Sequence, residues 1–188
     1  MKIILASQSP RRKELLELAN ISFDVIVSET DESYPLELSP EKISEHIAIN
    51  KALAVKRIKG DDQPIVSADT IVVHQNKIIG KPKDKEDALK ILSNLSGEKH
   101  SVITGVCILY KEQEIIFSDT TEVVFHEITQ AQINFYVDTY KPFDKAGAYA
   151  IQEWIGAVGI KSINGDFYNV MGLPISRVIK SLQNLNCL

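Results

Sequence analysis

Residues 64–73, PIVSADTIVV, constrain the fold of this 188-residue chain more than any other stretch. The segment is rich in β-branched residues and apolar on both faces, as a strand in the middle of a doubly covered sheet must be. The cover has to come from helices, and helical segments stand on both sides of it. Ser9-Pro10 opens one over residues 10–19, with serine at the cap and proline pre-set for the first turn. Ser39-Pro40 opens a second, which stops at Gly60. Strands are expected at residues 2–6 and in SFDVIV. A third helix puts Ala88, Leu89, Leu92 and Leu95 on one side, Thr129 caps a fourth, and PISRVIKSLQNL forms a last one. SVITGVCILYK and EIIFSDTTEVVF, separated by EQ, read as a long antiparallel hairpin. Crossovers and hairpins together predict an α/β fold with a mixed sheet. At this length the chain suits one domain spanning 1–188, or two lobes around one cleft.

Bulk properties exclude several classes. A net charge of −4 supplies no global basic field for nucleic acid or an anionic membrane. No window approaches the ~18 apolar residues of a membrane span. The twin arginine of SPRRKELL is followed by KELLELANISFD, too charged for the apolar region of a signal peptide. Cys107 and Cys187 form no CxxC and no zinc pattern, which suggests a reducing, cytoplasmic setting. His46, His74, His100 and His126 show no ligand spacing, and no GxSxG or Cys/His nucleophile is present.

Three features break local rules. Arg11 and Arg12 occupy the first turn of a helix, where unpaired N–H groups and the helix dipole already carry partial positive charge. Asp69 interrupts a strand that should hold valines, and a buried carboxylate needs a partner, a hydrogen bond or a metal. In a regular strand Asp69 and Thr70 face opposite sides. Lys51 lies within about 60° of Ile47, Ala54, Val55 and Ile58 on a helical wheel, in the middle of an apolar stripe. It either snorkels or aims its ammonium into a cleft. Lys81 sits on a constrained Gly-Lys-Pro turn, and Glu29, Asp31 and Glu32 form an acidic loop able to offer oxygen ligands.

These pieces fit one another. A phosphate would satisfy both the helix N-terminus and the guanidinium groups. Clustered cations with a few carboxylates, and no nucleophile, suit metal-assisted attack of water on a polyphosphate. No P-loop or GxGxxG motif is present, so the familiar nucleotide folds are not indicated.

ASQSPRRKELL, SADTIV, GKP, TGV, DKAGAYAIQE and GDFYNVMGLP occur in the order and approximate spacing of the Maf family, which the chain resembles over essentially its whole length. It is most similar to the dTTP/UTP pyrophosphatase branch. The 7-methyl-GTP branch tends to carry tryptophan where Arg11 stands and lacks the A-D-T and A-Y-A-I-Q forms. The resemblance implies an elongated, mixed, twisted sheet flanked by helices in two lobes around a cleft, similar to inosine triphosphate pyrophosphatases. It implies hydrolysis of dTTP and UTP, with CTP and modified forms as further candidates, to the monophosphate and pyrophosphate, using Mg²⁺ or Mn²⁺. By motif, Asp69 would accept the proton of the attacking water. Ser7, Arg11, Lys51 and Lys81 would bind phosphate, while Arg12, Thr70 and Gln152 would set base specificity. Glu32 and Asp69 would hold the metal. A carboxylate crowded by cations is a weak base, so Asp69 is expected to hold metal and water as well.

A small-molecule nucleotide is the expected partner, with no nucleic acid and no membrane; a homodimer stays open. House-cleaning of non-standard nucleotides is an expected role of such a pyrophosphatase, and division arrest a second, the family being named for an association with septum formation. Alternatives are a pyrophosphatase for a purine or modified nucleotide, and a non-catalytic regulator of septum formation.

Overall fold

A computed structural model describes residues 1–188. In chain order the elements are β1 (Ile3–Leu5), α1 (Pro10–Leu18), β2 (Phe23–Val25), α2 (Pro40–Lys59), β3 (Ile65–His74), β4 (Lys77–Ile79) and α3 (Lys85–Leu95). There follow β5 (Lys99–Tyr110), β6 (Gln113–Phe125), α4 (Gln130–Tyr140), α5 (Trp154–Gly159), β7 (Ile160–Asn164), α6 (Phe167–Met171) and α7 (Ile175–Asn184). The sheet is mixed and seven-stranded, in the order β2-β1-β3-β5-β6-β7 with β4 on β3. β3 is interior, as its doubly apolar sequence requires. The chain divides into two compact units, and β3, β5 and β6 each pass from one to the other. No helix is long and apolar enough to cross a membrane.

The first unit comprises Met1–Thr70, Thr104–Asp119 and Gly172–Leu188. Its three-residue β1 is parallel to both β2 and β3 and wholly buried. The crossover through α1 runs from β1 out to β2 and that through α2 returns past β1 to β3, so the right-handed rule puts the two helices on opposite faces. Leu15 and Leu16 of α1 are fully buried. Ala48, Ala52 and Val55 of α2 pack with Ile4, Ala6, Ile65, Cys107 and Leu109.

Small residues let α2 come close to the sheet. A Cβ on Gly105 of β5 would lie 2.3 Å from the backbone of Ser44. Ser67 of β3, fully buried, donates its hydroxyl to Ala48 O at 2.6 Å. This contact accounts for the glycine of TGV by backbone approach, a role the motif alone does not reveal.

Two local expectations change. Ser9 occupies the cap position of α1, but its side chain makes no cap hydrogen bond, and no acidic residue stands in the first turn. The donors of that turn are therefore not met by a capping hydroxyl. On α2, Ile47 and Val55 are buried around Lys51 as expected, whereas Ile58 is 59% exposed. The apolar stripe runs out in the last turn, where Lys56, Arg57 and Lys59 complement the helix dipole.

The second unit comprises Ile71–Ile103 and Thr120–Met171. There the far half of β3 pairs antiparallel with β4, and β6 pairs antiparallel with β7. α3 is capped by Asp84 and buries Ala88, Leu92 and Leu95. α4 opens with a reciprocal capping box between Thr129 and Gln132. His100, Phe125 and Tyr149 pack edge to face with centroids 5.0–5.4 Å apart.

Candidate active site

From β1 the chain moves to β2 on one side and then to β3 on the other. Open α/β sheets bind ligands at such a reversal, in the crevice beyond the carboxyl ends of the parallel strands. Here β1 ends at Leu5, and its last tie to β3 is Ala6 N to Val66 O at 2.8 Å. β3 continues past that point. Asp69 and Thr70 are its first half-buried residues after four buried ones.

The two residues are engaged from opposite faces, as period-two alternation predicts. Asp69 meets α2 through Lys51, and Thr70 meets α1 through Arg12. No bulge is needed to bring both into play.

Arg12 turns inward and is 8% exposed. Its Nε donates to Gly172 O at 2.8 Å, Nη1 to Ser7 Oγ at 3.0 Å and Nη2 to Thr70 Oγ1 at 3.1 Å. All three acceptors are neutral. Burial lowers the guanidinium from 12.5 to about 10, with the Asp69 carboxylate acting in the opposite direction. It remains charged at neutral pH, a cation held beside the helix start. Ser7, also buried, accepts from Arg12 and from Ser9 N at 3.3 Å. With both lone pairs used, its hydroxyl proton is left to donate. Arg11, its neighbour in the sequence, is half-buried.

Lys51 ends on two carboxylates. Its Nζ lies 2.6 Å from Asp69 Oδ1 and 2.8 Å from Glu32 Oε1. The side chain is 17% exposed, so the ammonium is directed inward and does not snorkel to solvent. Of the acidic loop, Asp31 is engaged by Ser33, accepting from its N at 2.8 Å and its Oγ at 2.7 Å. Those bonds lower the Asp31 carboxyl below its ordinary value. Glu29 is exposed.

Lys81 and Gln152 belong to the second unit. Lys81 is exposed on a turn followed by the buried Pro82. Gly80 O accepts from Gly147 N at 3.2 Å, joining this turn to the DKAGAYAIQE segment. Gln152 is the exposed residue after the buried run Ala148–Ile151.

Two participants escape sequence reasoning. Thr104, fully buried, lies 2.9 Å from the Thr70 hydroxyl. Gly172 supplies the carbonyl for Arg12 from 160 positions away. Both fall in quoted motifs, yet no local spacing links either to residue 12.

Buried Arg12 and half-buried Lys51 and Asp69 sit around the carboxyl end of β1, where an open α/β protein of this kind binds its ligand. The Maf family model, described as Maf-like protein, matches residues 2–185, and the chain belongs to that family. A dTTP/UTP pyrophosphatase of Cytophaga hutchinsonii is 50% identical over 183 residues, covering 97% of this chain and 84% of that one. One from Parabacteroides distasonis is 47% identical, covering 97% and 95%. A solved HAM1 protein from Coxiella burnetii shares the fold, with a TM-score of 0.53 at 16% identity over 98% of this chain and 99% of that one.

Proposed function

We propose that the protein hydrolyses pyrimidine nucleoside triphosphates, dTTP and UTP foremost, to the monophosphate and pyrophosphate. The observation that carries this reading is the engagement of consecutive residues of one strand by Lys51 and Arg12, just beyond the carboxyl end of β1. Relatives named dTTP/UTP pyrophosphatase, near half identical over nearly the whole chain, support the substrate.

Ser7, Arg11, Lys51 and Lys81 bind the phosphates. Ser7 contributes a hydroxyl proton, and the uncapped first turn of α1 contributes backbone donors. Asp69 takes the proton of the attacking water while Lys51 fixes its carboxylate through Oδ1. Arg12, Thr70 and Gln152 select the base. Arg12 has five donors and no acceptor, and three of the donors are already used. What it offers an incoming base favours carbonyl oxygens, which uracil and thymine present.

Asp69 and Glu32 suit a divalent cation. They are hard oxygen donors that already share one positive charge, and no third His, Cys, Asp or Glu joins them. Two carboxylates fit Mg²⁺ or Mn²⁺ that keeps water and takes substrate phosphate as further ligands. When bound, the cation neutralises polyphosphate charge and makes water more acidic. The setting we infer is cytoplasmic, in keeping with two cysteines that are both free.

A panel of triphosphates assayed for pyrophosphate release tests the reading. UTP and dTTP should lead it, and a purine or modified nucleotide at the head would replace the proposed substrate. Asp69→Asn should keep nucleotide binding and lose turnover by roughly 10²–10⁴-fold. Binding by the wild type without turnover would favour a regulatory protein.

A further inference from the structure

The segment that carries Gln152 is irregular yet buried. Ala148 to Ile151 are inside, Gln152 is exposed, and a helix resumes only at Trp154. Gly147 and Ala148 both take left-handed backbone, at φ +72° and +59°. An alanine held there stores of order 1 kcal/mol, so something outside the segment must hold it.

Side chains do so. Tyr136 of α4, fully buried, accepts from Ala150 N at 3.2 Å and donates its hydroxyl to Glu153 Oε2. Glu153 Oε1 faces Lys145 Nζ at 3.4 Å, and Lys145 is 8% exposed. The same ammonium donates to Asp144 Oδ1 at 3.0 Å. Gln152 is thus bracketed by a tie two residues before it and another on the residue after. An ion pair shielded on its lysine side adds little net stability, whereas it does favour one arrangement of the groups it joins.

We propose that Tyr136, Glu153 and Lys145 are positioning residues that fix which edge of the base Gln152 reads; this rests on the assignment of Gln152 to base recognition. A glutamine amide carries both a donor and an acceptor, and either can be presented. The position and direction of its backbone decide which edge of a bound base the amide can reach. Loosening the network relaxes the choice of base and leaves the phosphate contacts of the first unit in place.

The test is a double-mutant cycle read by kcat/KM for UTP, dTTP and CTP. Tyr136→Phe keeps the ring stacked on Tyr140, with centroids 5.0 Å apart, and removes only the hydroxyl. It should move the UTP-to-CTP ratio by about three- to tenfold, the coupling expected of residues in one network. In a Gln152→Ala background the same change should move that ratio by less than about twofold, because the residue it acts through is gone. Lys145→Met should reproduce the shift, and Lys145→Arg should restore the wild-type ranking.

A uniform loss for all nucleotides, or an equal shift in both backgrounds, overturns the proposal. If Gln152→Ala moves the ranking and Tyr136→Phe does not, the positioning role alone fails. If Gln152→Ala leaves the ranking intact, the base assignment fails and takes this proposal with it.

Discussion

Replacing Gly105 by alanine probes the link between a backbone contact and the chemistry. The added Cβ would sit 2.3 Å from Ser44 C and 2.4 Å from Glu45 N. An ordinary contact begins near 3.4 Å, so α2 must retreat by about 1.1 Å at that point. Backbone cannot swing aside as a side-chain tip can. The helix is further pinned by Ser67 to Ala48 O at 2.6 Å and by Ser118 Oγ to Glu45 Oε1 at 2.9 Å. Overpacking costs typically 1–3 kcal/mol, and a clash with fixed backbone belongs at about 3 kcal/mol or above. That corresponds to a fall in Tm of roughly 6–12 °C for a domain of this size. The functional effect is larger in proportion. Lys51 rides on the same helix about 10 Å further along, with its ammonium 2.6 Å from Asp69. Misplacing such a group by ~1 Å can cost on the order of 10²-fold in rate. Thermal denaturation and steady-state pyrophosphate release on Gly105→Ala read both quantities. A variant that melts within about 1 °C of wild type and turns over normally refutes the claim that this glycine sets the height of α2.

Gly172 has φ +113°, and a Cβ there would meet Thr70 Oγ1 only at an ordinary 3.5 Å. Gly172→Ala should therefore cost about 1–2 kcal/mol through backbone strain and disturb the carbonyl that holds Arg12; thermal melts and the nucleotide panel report the two effects. Lys51→Met leaves Asp69 and Glu32 facing each other without their shared cation. Stability should fall by roughly 2 kcal/mol, below the full cost of breaking a buried pair because Glu32 is half exposed. Mg²⁺ should then raise the Tm of this variant more than that of the wild type, and equal rises would count against these carboxylates as the metal locus. Burial lowers His100 to about 4 from 6.5, so between those values the unfolded chain binds the extra proton. Stability should fall by up to ~3 kcal/mol as pH drops from 6.5 towards 4, and His100→Gln should flatten that part of a denaturation profile.

Much of this architecture is legible because periodicity and punctuation agree. PIVSADTIVV lies inside the sheet, and Pro10, Pro40 and Thr129 mark helix starts where the chain places them. Asp69 and Lys51 stand out as anomalies because each breaks the pattern of its own element, and the two anomalies explain one another as partners. The division between Arg11 and Arg12 cannot be read locally, since both sit in the same uncapped turn. What sets Arg12 apart is a carbonyl at residue 172 and a hydroxyl at residue 70, contacts made only by folding. Ser9 illustrates the opposite failure. A good capping residue stands in the right place, yet its side chain makes no cap bond while its backbone N–H goes to Ser7.

The products identify which phosphoanhydride bond is broken, and with it the reaction. UTP incubated with the protein and Mg²⁺ should yield UMP and pyrophosphate in equal amounts, and Asp69→Asn should yield neither at a comparable rate. UDP with orthophosphate, or near wild-type turnover by Asp69→Asn, would contradict the account.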